Sequence, residues 1–178
     1  MTWRRRTLIA GTALAAAALL AFLGARAGTA AAPCPHQSAA DASSGLQEKA
    51  MLCLVNRARK SRGLTPFAAP RPLARAADGK SGDILRCDAF SHEACGREFT
   101  YWIDRVGYRY CSAAENIAYA SGSYATPRTI FKLWMNSSGH RRNILGPYQE
   151  IGIGMQVGRL DDTAGAHVWT QEFAIHDC

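Results

Sequence analysis

Six cysteines set behind an export-type leader constrain this chain more than any other feature. The leader has a basic start at Arg4, Arg5 and Arg6, an alanine-rich apolar run from Thr7 to Gly24, and the small-x-small pattern of a signal peptidase site at Ala25-Arg26-Ala27. Residues 1–27 therefore read as a signal peptide. An uncleaved anchor is the alternative, since the run is about long enough to cross a bilayer, although its alanines make it only mildly apolar. Arg5-Arg6 fits a twin-arginine signal loosely, so the export route stays open. Pro33 stands before Cys34 where a lipoprotein needs a small residue. In an oxidising compartment an even set of cysteines (Cys34, Cys53, Cys87, Cys95, Cys111 and Cys178) reads as three disulfides. The rival, a cysteine zinc site, lacks any C-x-x-C. Six cysteines can pair in fifteen ways. Cys87–Cys95, close in sequence and bracketing a loop, is the first choice, with Cys53–Cys111 and Cys34–Cys178 completing a set.

Leader removal changes the charge argument. The formal charge of +7 includes four arginines that precede residue 28, and without them 17 basic residues face 14 acidic ones. That mild surplus suits an anionic cell-envelope polymer or lipid and does not call for nucleic acid. Apolar residues make up 48% of the chain, enough for a real core in one domain.

Residues 28–43, rich in Ala, Ser, Gly and Pro, read as a linker, and residues 44–178 as the domain. Leu46, Ala50, Cys53, Leu54 and Ala58 recur at helical spacing behind a Ser44/Gln47 capping box, and Gly63 ends that helix. A second helix starts at Pro72, with Leu73, Ala76, Ala77, Lys80 and Ile84 on one face, and fades by Cys87. A short helix spans about 99–106. Another begins at Thr126-Pro127 and carries Ile130, Phe131 and Trp134, and Ser138 caps a brief turn after it. Ile151, Ile153, Met155 and Val157 alternate with Gly152 and Gly154, and a second alternating run covers 166–175, so these strands form an antiparallel hairpin. Glycines at alternate strand positions mark the close approach of another element. A third strand lies near 115–120. Trp134, Phe131 and Trp169 read as core, and Tyr108 and Tyr110 as neighbours of a disulfide at Cys111. Helices mixed with an antiparallel sheet indicate an α+β layered domain.

Several segments, in one order, carry a family likeness: Leu54-Val55-Asn56-Arg57-Ala58-Arg59, Phe90-Ser91-His92, Glu115-Asn116-Ile117-Ala118, Trp134 to Leu145 with Ser138-Gly139-His140-Arg141-Arg142-Asn143, Ile151-Gly152-Ile153-Gly154, and Trp169 to Phe173. In this the chain resembles the CAP superfamily of cysteine-rich secretory, antigen 5 and pathogenesis-related proteins, in its bacterial SCP-like branch. The resemblance implies a three-layer α-β-α sandwich with a central antiparallel sheet. It also implies a surface cleft lined by two histidines and two acids. By motif His92 and His140 are the histidines and Glu115 the first acid, while Ser137 stands where many eukaryotic members carry the second.

Two neutral imidazoles and a carboxylate are a chemically competent set for a divalent metal such as zinc, with an open position for water. His92, His140 and Glu115 are therefore the candidate metal ligands, with Ser137 and Asn116 completing a candidate ligand cleft. A His and a Glu facing one another can equally form a buried network that fixes loops. Gly96 occupies the place that H-E-x-x-H reserves for its second histidine, and no G-x-S-x-G elbow occurs. No separate general base is evident. The expectation is an exported binding module for a lipid, a cell-envelope component or a divalent metal, with a metal-assisted hydrolase of peptide or cell-wall substrate as the alternative. Ligand identity and oligomeric state are not legible. Three cross-links predict that a thiol reductant lowers the melting temperature, each long-loop disulfide contributing about 2–4 kcal/mol; an unchanged melting curve would contradict this.

Overall fold

The computed structural model describes Met1 and residues 32–176. The expected signal peptide beyond Met1, and Cys178, lie outside these residues. In chain order the elements are α1 (Ser44–Lys60), α2 (Arg71–Arg86), α3 (Tyr101–Arg105), β1 (Ser112–Ala120), α4 (Pro127–Asn136), α5 (Ser138–Ile144), β2 (Glu150–Leu160) and β3 (Thr163–Ile175).

Local chemistry accounts for most of these boundaries. Thr126 caps α4 by accepting the Thr129 backbone N–H at 3.2 Å, with Pro127 in the first turn. Beyond α1, Gly63 takes φ +70°, the left-handed geometry that favours glycine at a helix end. The Ser44/Gln47 capping box does not form. Ser43 is the cap residue, and Gln47 is buried and turned back to donate to the Ala40 and Ala42 carbonyls at 3.0 and 2.8 Å. The amide NH2 is spent on the preceding turns, and this orientation leaves Gln47 Oε1 buried without a partner rather than on the helix start.

The strands pair antiparallel in the order β1-β3-β2. Side chains alternate across this sheet, and each face meets its own helices. Ile151, Ile153 and Met155 of β2, Ala118 of β1, and Trp169 and Phe173 of β3 pack with Met51 and Val55 of α1, Ile130 and Trp134 of α4, and Ile144 of α5. On the other face Ile117, Ala166, Val168 and Ala174 meet Leu73, Ala76 and Ile84 of α2. The result is an α-β-α sandwich, α2 on one side and α1, α4 and α5 on the other. Tyr108 lies in the α2 layer with Leu73, Ile103 and Ala174, and its hydroxyl donates to Glu150.

The alternating glycines of β2 set how close α2 lies. A Cβ at Gly152 would stand 2.0 Å from the Leu73 carbonyl oxygen, and one at Gly154 would stand 2.3 Å from the Asp78 nitrogen. The helix backbone thus rests directly on the strand, a contact no side chain at either position allows.

Both edges of the sheet are occupied. On β1 the Glu115 and Ile117 carbonyls accept from Asn143 Nδ2 (3.3 Å) and Trp134 Nε1 (3.2 Å). On β2 the Met155 N–H donates to Glu48 Oε1 at 3.2 Å, and Ala68 makes an isolated parallel bridge to Glu150. Burial, reinforced by Asp78, pushes Glu48 up to about 7.

The disulfides correct one expectation. Cys87 and Cys95 are bonded, but Cys34 is bonded to Cys53, which displaces both the Cys53–Cys111 and the Cys34–Cys178 pairs. The physical reason is the path of residues 32–43. They run in turns beside α1 rather than as a free tether, with the Gln37 carbonyl accepting from Arg128 N at 2.8 Å, and Cys34 is buried against the helix that carries Cys53. Cys111 is also disulfide-bonded.

Two glycine substitutions in contacting elements have opposite expected signs. Gly154→Ala forces α2 off the sheet and destabilises by more than about 2 kcal/mol, or abolishes folding. Gly82→Ala, on α2 with nothing within 4 Å of the new methyl, stabilises by about 0.5–1 kcal/mol. Urea unfolding of both variants checks the pair.

Candidate functional site

The alternation of β1 separates two neighbouring polar residues. Glu115 faces α2, and Asn116 faces α4 and α5. Asn116 is buried, donates to the His140 carbonyl and to Gln171 Oε1 (3.2 and 3.0 Å), and accepts from Asn143 Nδ2 at 2.9 Å. It is therefore not a cleft residue as expected. It holds α5, and with it His140, against the sheet.

Glu115 is buried as well, and its surroundings explain why. Oε1 lies 2.6 Å from His92 Nδ1 and 3.7 Å from Lys80 Nζ. Lys80 is buried on α2 and also donates to the His92 backbone carbonyl. Directly opposite Glu115 in the strand register stands Glu172 of β3, on the same face and completely buried. Burial, then the charge of Glu115 and a hydrogen bond between the two carboxyls, push Glu172 well above the usual carboxylate range, and Lys80 opposes the shift. The second acid of this site is thus Glu172, close in space to the first and distant in sequence. Ser137, at the position where the likeness places that acid, lies instead on the cleft wall.

His92 is on the loop between α2 and α3, and its side chain is about half exposed (51%) above buried Glu115. The Cys87–Cys95 bond closes that loop into a ring. Asp83 fastens the following residues to α2, accepting from Arg97 Nη1 at 2.7 Å and Trp102 Nε1 at 2.8 Å. A proton on His92 Nδ1 would donate to Glu115 Oε1, and Nε2 is the ring nitrogen on the side away from this carboxylate.

Next to this network an open cleft of about 270 Å³ is lined by Phe90, Ile117, Tyr119, Leu133 and Trp134, with Ser137 and His140 as its polar members. Phe90 and Tyr119 pack edge to face with ring centroids 4.9 Å apart. Both are exposed, as is Leu133. Burial, and secondarily the charge of His92, hold His140 below the usual imidazole range, so it stands neutral at pH 7. The two histidines are thereby within electrostatic reach of one another, His140 in the cleft and His92 beside it. Trp134 is core, as expected, and also lines the cleft.

The expected zinc set is not assembled. Among the described residues no three His, Cys, Asp or Glu side chains are grouped as a metal requires. The reason is local: Glu115 Oε1 is engaged by an imidazole N–H and a lysine, which makes it an orienting partner of His92 rather than a third ligand.

Lys80 and Glu172 escaped sequence reasoning as site residues. A signal existed for Lys80, a cation in line with Leu73, Ala76 and Ile84 on the apolar face of α2, which must find a buried anion. Nothing local marks Glu172, because its role appears only once the β1–β3 register is known.

Taken together, the sandwich and the His92–Glu115 pair beside an open cleft define an α-β-α domain of the cysteine-rich secretory class. The comparisons agree. The model of the cysteine-rich secretory protein (CAP) family matches residues 52–173, and this chain belongs to that family. It is 34% identical over 139 residues to the Bacillus subtilis protein YkwD, a match spanning 76% of this chain and 50% of that relative. A crystal structure of a Bacillus anthracis extracellular protein containing an SCP domain superposes with a TM-score of 0.63 at 25% identity, covering 74% of this chain and 41% of the other. An outer surface protein of Borrelia burgdorferi shares the fold at 15% identity, with a TM-score of 0.62 and coverage of 72% and 92%. The chain therefore spans about half the length of the Bacillus subtilis relative.

The buried pair is testable by a double-mutant cycle. Lys80→Met leaves Glu115 without its cation and costs about 3 kcal/mol or more. Lys80→Met combined with Glu115→Gln costs less than the two single changes added together. Urea unfolding at pH 7 measures the coupling, and strict additivity would mean that the lysine does not neutralise this carboxylate.

Proposed function

We propose that the domain is an exported binding module whose cleft takes an amphiphile of the cell envelope, its apolar part against Phe90, Leu133 and Trp134 and an anionic head beside α4 and α5. One observation carries the reading: apart from Phe90, the lining of the apolar cleft falls within a stretch of chain that has no acid. From Asn116 to Gln149 there is no Asp or Glu, while Arg128, Lys132, Arg141 and Arg142 all fall there. A second, shallow depression of about 320 Å³ is lined by Ser138, Arg141, Arg142 and Leu145. Arg141 is held in place by donating to the Met135 carbonyl at 2.7 Å. Exposed apolar side chains beside cations that make no ion pair among the described residues suit a ligand with both characters.

The leader motif and the disulfides support export, in keeping with structural neighbours described as extracellular and outer-surface proteins. Among the described residues no helix is long and apolar enough to cross a membrane. The alternative of a metal-assisted hydrolase lacks an assembled donor set among the described residues.

Vesicle sedimentation tests the reading. Binding is expected to phosphatidylglycerol vesicles and not to phosphatidylcholine, and to weaken with added salt. Reversing two charges, Lys132→Glu with Arg142→Glu, should weaken binding by at least roughly thirtyfold, since about 1 kcal/mol is lost with each basic residue near the surface and each new acid adds repulsion. Leu133→Asp should weaken it by closing the apolar cleft to a chain. Equal binding to both lipids, or no loss in either variant, would refute the proposal.

A further inference from the structure

The ring closed by Cys87 and Cys95 carries both His92 and Phe90, the histidine beside the cleft and one of the aromatic residues that line it. This bond is more accessible than the other one described. Cys87 is exposed and Cys95 half-buried, whereas Cys34, bonded to Cys53, is buried. The two sulfurs also differ in their surroundings. Arg86 Nη2 lies 3.6 Å from Cys95 Sγ, and Arg86 and Arg97 share the buried Asp83 carboxylate, so two guanidiniums against one acid leave a positive charge at the Cys95 end. A positive neighbour stabilises a sulfur that departs as thiolate. The backbone of the ring is held in an unfavourable shape. Asp88 takes φ +49° and Cys95 φ +60°, left-handed conformations that residues with a Cβ rarely adopt. The bonded cysteines are only 8 positions apart in sequence, so opening the bond returns little entropy to the unfolded chain and leaves the sandwich folded.

We infer that the Cys87–Cys95 bond is a redox switch on the wall of the cleft: a dithiol reductant opens it by attack at exposed Cys87, and opening releases Phe90 from its place against Tyr119. In the first step a thiolate of the reductant bonds to Cys87 Sγ, the Cys87–Cys95 bond breaks, and Cys95 leaves with the electron pair as a thiolate beside Arg86. In the second step the other thiolate of the reductant attacks its own sulfur in the mixed disulfide, and Cys87 leaves as thiolate. The reductant ends as a disulfide, the protein has gained two electrons, and the two protons of the dithiol are shared between the new thiols and solvent. His92 stays tied by Glu115 and by Lys80 at its carbonyl. Phe90, by contrast, is exposed, and the ring contact with Tyr119 at 4.9 Å is what joins it to β1. Relaxation of Asp88 and Cys95 out of left-handed geometry therefore moves the aromatic wall and not the histidine. The inference goes beyond the amphiphile reading and does not depend on it, because its test uses no ligand.

The experiment titrates the folded wild-type protein with dithiothreitol, alkylates the thiols that appear, and maps them by peptide mass spectrometry. Cys87 and Cys95 are expected to be labelled at a reductant concentration roughly tenfold below that needed for Cys34 and Cys53. Arg86→Gln is expected to slow the opening of Cys87–Cys95 by roughly threefold, since its leaving thiolate loses a cation. Amide exchange at residues 88–91 is expected to rise roughly tenfold in the partly reduced protein, and equally in Cys87→Ser with Cys95→Ser under non-reducing conditions, while exchange in α2 and the sheet stays as in the wild type. Nuclear Overhauser contacts between the Phe90 and Tyr119 rings should vanish in both. Labelling of Cys34 and Cys53 at the same reductant concentration as Cys87 and Cys95 would overturn the lability. An unchanged rate in Arg86→Gln would overturn the assignment of Cys95 as the leaving sulfur. Unchanged exchange and retained ring contacts after opening would overturn the switch. Should the double serine variant fail to fold, the partly reduced wild type still decides each point.

Discussion

Everything at the site depends on helix α2 lying in backbone contact with strand β2. With Gly152 and Gly154 beneath it, the helix comes near enough for Lys80 and Ser81 to enter the face of the sheet, where Ser81 Oγ lies 2.9 Å from Thr170 Oγ1 and Lys80 reaches Glu115. A helix one methyl farther out would leave the acids of β1 and β3 under an unfilled layer. Polar chemistry in the interior is thus a consequence of packing distance. It also has a function in packing, since a buried cation and a buried anion specify one helix position where an apolar face would tolerate several.

The opposite layer is tied by a different device. Arg59, at the end of α1, is buried and donates to the carbonyls of Thr65, Ile144, Gly146 and Tyr148 at 2.7 to 3.2 Å, with its guanidinium 3.7 Å over the Phe67 ring. It gathers the irregular chain between α5 and β2, where loop carbonyls have no strand to meet. α5 is thereby held at both ends, by Arg59 at its finish and by Asn116 at the His140 carbonyl. The histidine of the cleft is rigid for reasons that lie outside the cleft.

Much of this was legible in the sequence. The alternation of Ile151, Ile153 and Met155 with glycine announced both a strand and a close neighbour, and Thr126-Pro127 announced a helix start. Family motifs placed His92, Glu115 and His140 in one region of the fold. Other features could not be read because they are facts of register and direction. Glu115 and Asn116 adjoin in sequence yet serve opposite faces, so only one of them could belong with His92. Glu172 acquires meaning from standing across from Glu115, and the partner of Cys34 from the path of a tail that looked featureless. Propensity and spacing act along the chain, whereas these relations act across it.

The contacts along the margins of the sheet have a consequence for association. A sheet of three strands offers two open seams, and a bare seam is an invitation to another strand. Here Asn143 and Trp134 cover carbonyls on one side, while Glu48 and the bridge at Ala68 cover the other. At these positions the backbone groups are already engaged and are not open to a strand from another molecule.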